Sequence, residues 1–72
     1  MLADDFRDFL RQVPFRPFRV TLTDGRYYDV KHPELPLVGF SVVELVFPDV
    51  ARRVTVALSH VMQIEYLATA QN

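Results

Sequence analysis

Residues 18–31 read Phe18-Arg19-Val20-Thr21-Leu22-Thr23-Asp24-Gly25-Arg26-Tyr27-Tyr28-Asp29-Val30-Lys31, and their alternation decides the fold. Phe18, Val20 and Leu22 alternate with Arg19, Thr21 and Thr23, the period of a strand buried on one face. Asp24-Gly25 follows as a hairpin signal, because both residue types tolerate positive φ. The pattern predicts a first strand over about residues 18–23, a reversal at Gly25 and a second strand over about residues 26–31. Continued alternation puts Tyr28 and Val30 inside, with Tyr27, Asp29 and Lys31 outside.

Upstream the period is helical. Leu2, Phe6, Phe9, Leu10 and Val13 fall on one face and Asp4, Asp5, Arg7, Asp8, Arg11 and Gln12 on the other, which predicts an amphipathic helix over about residues 2–13. Asp4 and Asp5 in the first turn and Arg11 in the last suit the helix dipole, and Pro14 stops the helix. Between helix and hairpin, Phe15-Arg16-Pro17-Phe18 is a connector held extended by two prolines. Its two phenylalanines are expected to anchor on the core.

Downstream, His32-Pro33-Glu34-Leu35-Pro36 breaks the second strand, and Leu37-Val38-Gly39-Phe40 continues as an apolar loop. Residues 41–47 alternate as a third strand, Val43, Leu45 and Phe47 inward and Val42, Glu44 and Val46 outward. Pro48 to Arg53 reads as a polar turn, and residues 54–58 as a fourth strand. Ser59-His60-Val61 suggests one helical turn capped by the Ser59 hydroxyl. A fifth strand then runs over about residues 62–67, with Met62, Ile64 and Tyr66 on its apolar side, and the tail Ala68 to Asn72 is expected to fray.

The fold class expected is therefore mainly β (α+β), a single domain over residues 1–72. An N-terminal amphipathic helix precedes a five-stranded antiparallel sheet, which hides its apolar face by curling into a small, partly open SH3-like or Sm-like barrel. With 72 residues, half of them hydrophobic, the chain holds one core, and a chain this short buries only about 60% of its unfolded surface. It has no cysteine, so neither disulfides nor a thiol nucleophile enter. Acidic residues near Met1 and the lack of a long apolar run point to a cytoplasmic protein away from the membrane.

The Pro-Phe-Arg-Pro-Phe run at 14–18, the Asp-Gly-Arg turn at 24–26 and the His-Pro-Glu loop at 32–34 resemble a group of small uncharacterised bacterial proteins that share these motifs. The resemblance covers roughly residues 2–66 and implies fold and compartment, with no catalytic residue to carry over. The order of elements, one helix and five strands with a short turn before the last, also looks like the Sm and Hfq type of SH3-like barrel. The RNA-reading motif of that type is not matched at Leu58-Ser59-His60-Val61-Met62-Gln63.

Eight basic residues stand against nine acidic ones, and seven of the eight are arginine. Such a balance gives no strong general attraction for nucleic acid, but arginine stacks and makes bidentate contacts locally. Arg16, Arg19, Arg26, Arg52 and Arg53 with Tyr27 are therefore the candidates for an RNA or single-stranded nucleic-acid face, solvated edge charge being the plainer reading. His32 and Glu34 supply two ligands at most, and Ser59 beside His60 cannot face it on a turn. No enzyme, metal site or cofactor is expected. Leu37, Val38, Phe40, Val42 and Val46 amount to more outward apolar surface than a small monomer usually carries. The leading expectation is a non-catalytic interaction module, a homo-oligomer or a binder of a protein partner, acting through the third strand and the loop at 35–40.

Overall fold

Pro14 sets where the first element ends. Its ring offers no N–H to the carbonyl of Leu10, so the helical ladder cannot run through it. In a computed structural model, which describes residues 1–67, helix α1 accordingly spans Ala3–Leu10 with Arg11 at its C-cap. The expected span of 2–13 is too long at both ends. Leu2 is 72% and Val13 96% exposed, so neither joins the buried face. That face is Phe6, fully buried, with Phe9 and Leu10 packed on the core.

Six strands follow among the described residues: β1 Phe18–Leu22, β2 Tyr27–Val30, β3 Leu37–Val38, β4 Val42–Phe47, β5 Arg52–Ala57 and β6 Val61–Tyr66. They form two antiparallel three-stranded sheets, ordered β2-β1-β6 and β3-β4-β5. One continuous five-stranded sheet is thus replaced by two, and the strands do not close into a barrel, in keeping with the open form expected. The extra strand is β3, two residues that pair Leu37 with Glu44 and Val38 with Val43 where the sequence predicts a loop. Between the sheets lies one core, with Phe18, Val20, Leu22 and Val30 from the first sheet, Val43, Leu45 and Val56 from the second, and Phe6 and Leu58 closing it.

The connector anchors as its phenylalanines suggest. Phe18 is fully buried and Phe15 packs against the core, their ring centroids 6.0 Å apart. Phe18 also meets Phe6 edge-on at 5.7 Å and Phe9 at 5.3 Å, geometries that suit aromatic quadrupoles. The Pro17 carbonyl accepts a hydrogen bond from the Leu67 N–H at 3.0 Å, tying the connector to the end of β6.

Three local departures have identifiable causes. The β1–β2 turn is a three-residue loop, Thr23-Asp24-Gly25, closed by the Leu22 N–H donating to the Arg26 carbonyl at 2.8 Å. Only Gly25 there has positive φ, at 91°, the pattern of a hairpin with a glycine bulge rather than the two-residue turn expected. In β6 the register slips: Leu22 faces Val61 while Thr21 faces Gln63. Met62 is thus the extra residue of a bulge, which turns Val61 onto the core and leaves Met62 58% exposed, against the expected alternation, while Ile64 packs against the core as that alternation predicts. Tyr66 lies opposite Phe18 on the core face, its ring 5.8 Å from that of Phe9, and is 38% exposed at the margin of that face.

The third departure is at the β4–β5 turn. Pro48–Val50 make a 3₁₀ turn and Ala51 takes the left-handed conformation with φ of 52°. This tight reversal lets the ladder run on to Val46–Arg53 and Phe47–Arg52, so both arginines lie in β5 rather than in a turn. A left-handed residue with a Cβ costs about 1–2 kcal/mol. Ala51→Gly should therefore stabilise the chain by about 0.5–1 kcal/mol after the greater freedom of unfolded glycine is counted. A thermal midpoint raised by a few degrees is the expected reading, and an unchanged or lowered midpoint would contradict it.

The helical turn expected near Ser59 is present as a 3₁₀ turn, Leu58–His60, but Ala57 stands at its N-cap and no side chain caps it. The tail Ala68 to Asn72 lies outside the described residues. No helix among the described residues is long and apolar enough to cross a membrane.

Candidate functional site

Alternation along β4 divides its side chains between two faces. Val43 and Leu45 enter the core, while Val42, Glu44 and Val46 turn to the outer face of the second sheet. Leu37 pairs opposite Glu44 and so shares that outer face. Beside it, Val42 lies opposite Ala57 and Val46 opposite Arg53. Leu37 is 59% and Val42 40% exposed, whereas Val46 is half-buried. Glu44 and Arg53, on neighbouring strands of this face, form an ion pair.

At the end of the same sheet the β3–β4 turn closes tightly. The Gly39 N–H donates to the Val42 carbonyl at 2.8 Å, and a Cβ at Gly39 would stand 3.3 Å from that carbonyl oxygen, so a bare backbone fits here best. The turn leaves Phe40 at its tip, 97% exposed. Val38 goes the other way. It pairs opposite Val43, packs against the core, and offers its carbonyl to Arg7 Nη2 at 3.2 Å. Of the five residues expected to bind a partner, Leu37, Val42 and Val46 share a face, Phe40 flanks it, and Val38 is part of the interior.

The arginines are dispersed. Arg19, on the outer face of the first sheet, lies with its guanidinium carbon 4.1 Å from the Tyr27 ring centroid and its Nε 2.8 Å from Asp29 Oδ1. The hydrogen bond to Asp29 raises its pKa above the ordinary value. Arg26 binds Asp24 at 2.8 Å, Arg53 is on the second sheet with Glu44, and Arg16 lies over Tyr66 at 3.8 Å. Arg52 stands 5.9 Å from the Tyr28 ring centroid. Only Arg19 and Tyr27 of the six candidates are brought into contact. Three of the five arginines already face a carboxylate, which weakens what they can offer to phosphate.

The Asp24–Arg26 contact has a testable pH signature. Asp24 accepts the Arg26 N–H at 3.0 Å, and this backbone hydrogen bond is the main cause that holds its pKa below the ordinary carboxylate value. A lowered folded pKa contributes stability that is whole above the unfolded pKa, about 3.9, and vanishes as pH falls through the folded value. The thermal midpoint of the natural chain should exceed that of Asp24→Asn at neutral pH, with the gap closing below about pH 4. A gap that stays constant into strong acid would show that the charge is not responsible.

His32 and Glu34 are exposed in a turn where the Leu35 N–H donates to the His32 carbonyl at 3.4 Å. Among the described residues, no group of three histidine or carboxylate side chains is placed to hold a metal.

A cleft of about 500 Å³ opens between β2 and the far end of β4, lined by Tyr28, Leu35, Phe47 and Val50 with Lys31 and Arg52 at its polar side. The rings of Tyr28 and Phe47 stand 6.1 Å apart. The signal for it is the pair Pro33 and Pro36, which delays the next strand and leaves β3 only two residues to cover this gap. Comparison with protein-family models, curated proteins and solved structures gives no match. The functional reading therefore rests on the side chains just described.

Proposed function

We propose that the chain is a non-catalytic interaction module of SH3-like or Sm-like architecture, cytoplasmic, which self-associates through the outer face of β3–β4. The observation that carries this reading is Phe40, nearly fully exposed beside the exposed Leu37 and Val42. A large aromatic held out by a closed turn contributes little to its own chain's stability and much to a contact that covers it. The helix, the strand orders β2-β1-β6 and β3-β4-β5, and the single turn before β6 support the architectural side of the proposal.

Sedimentation velocity from micromolar to millimolar concentration tests it. A mass that rises to a dimer or a larger closed assembly is expected. A strict monomer throughout would remove self-association and leave a different protein as the occupant of this face.

A second reading, single-stranded nucleic-acid binding, draws on Arg16 over Tyr66 and Arg19 over Tyr27, since cations on aromatic faces form stacking platforms for bases. Filter binding of single-stranded RNA at about 50 mM salt decides it, because phosphate contacts are strongest there. Retention of RNA that disappears with Arg16→Ala and Tyr27→Ala would favour this reading over the first.

A further inference from the structure

The cleft beside β2 is bounded by unpaired strand edges. Among the described residues β2 has β1 as its sole neighbour, and β3 covers β4 only at Val43 and Glu44. The ladder shows which backbone groups remain. Because the Leu22 N–H bonds the Arg26 carbonyl, the hydrogen-bonded pairs of this hairpin fall at every second residue, at Val20–Tyr28 and Phe18–Val30. The N–H and C=O groups of Tyr27 and Asp29 therefore point away from β1. Among the described residues no backbone group meets them. On the facing wall, the Val42 carbonyl bonds Gly39, and the same alternation turns the backbone of Val46 toward the cleft.

The side chains add an apolar floor and a net positive rim. Tyr28, Leu35, Phe47 and Val50 supply the apolar surface. Lys31 and Arg52 have no carboxylate partner among the described residues. Of the two carboxylates in the lining, Asp29 is held by Arg19 at 2.8 Å, which leaves Asp49 alone against the two cations and His32.

We propose that this slot takes an extended acidic peptide of a partner protein, added to the free edge of β2 as a fourth strand of the first sheet. Its N–H and C=O groups pair with those of Tyr27 and Asp29, every second side chain rests on Tyr28 and Phe47, and a carboxylate meets Lys31 and Arg52. Strand addition of this kind draws affinity from the main chain and specificity from alternate side chains. It also covers an edge that is otherwise open to unspecific pairing. The surface is separate from the Leu37–Phe40–Val42 face, so the two proposals stand or fall independently.

Selection of a random heptapeptide library displayed on phage against the full chain tests the proposal. Enriched sequences should carry Asp or Glu, alternate β-branched or aromatic residues, and lack proline at the positions that must donate an N–H. A synthetic peptide of the consensus should shift the amide resonances of Tyr27 and Asp29. Its affinity should fall by about tenfold or more in the Lys31→Glu/Arg52→Glu variant, as expected for reversing charges at a contact, and stay unchanged in Leu37→Asp/Phe40→Asp. Failure to enrich any sequence, enrichment of basic or proline-rich peptides, or shifts centred on Ser41 and Val42 would each overturn it.

Discussion

Replacing Phe18 with alanine is expected to remove most of the stability of this domain. Phe18 has no exposed surface and its ring meets those of Phe6, Phe9 and Phe15, all within 6.0 Å. It is the point where helix, connector and first strand share one contact. Truncating such a phenylalanine costs about 3–5 kcal/mol, the transfer of the ring plus the cavity it leaves. A domain of this length holds on the order of 4–11 kcal/mol in all, and small domains lie toward the lower end. The Phe18→Ala variant should therefore lose half or more of its urea midpoint, or show no cooperative transition at all. Phe15→Ala is the control. Phe15 keeps part of its surface in water and has one close ring neighbour, so a loss of about 1–2 kcal/mol is expected. If the two variants unfold together, the connector rather than the ring cluster carries the stability.

The residues that make Phe18 central were legible because their signals are local. Phe18, Val20 and Leu22 alternate without interruption, and all three are buried as the alternation requires. Phe6 and Phe9 were legible from helical spacing. What failed to show depends on one residue adopting an uncommon role. Nothing in Met62 announces the bulge that exchanges the faces of Val61 and Met62 at the start of β6, and alanine is a poor signal for the left-handed turn that puts Arg52 and Arg53 in a strand. Val38 was placed outside because a two-residue strand is too short to display a period. The apolar face was half legible, since Leu37, Val42 and Phe40 are exposed as their sequence context suggested. The cleft left only one sign, the Pro33 and Pro36 pair that shortens β3. Its walls come from segments separated in sequence by the whole of β3 and half of β4, which no local pattern brings together.

Changing Leu37 and Phe40 together to aspartate is expected to abolish self-association while leaving the fold intact. Neither side chain belongs to the core; Phe40, 97% exposed, gives up almost no burial, and Leu37, 59% exposed, gives up only the part covered on the outer face. Both carry the outer face that a second copy would cover. Fully burying a leucine or phenylalanine side chain is worth about 1.5–3 kcal/mol, reduced for Leu37 because 59% of its surface is open to begin with. Loss of these contacts in both copies, together with four new carboxylates facing one another, should weaken a symmetric dimer by well over about a hundredfold. Sedimentation at the concentration where the natural chain is associated should then give a monomer with an unchanged circular-dichroism spectrum and a thermal midpoint lowered only by the small cost of an aspartate opposite Glu44. Adding salt discriminates between the two causes. Screening shortens the reach of the carboxylates to about 3 Å at molar ionic strength, so partial recovery in high salt assigns the loss to repulsion, and continued monomer assigns it to the missing apolar contact. An assembly that survives the double change with undiminished affinity would place its interface away from Leu37 and Phe40, and the free edges of β5 and β6 would become the surfaces to probe.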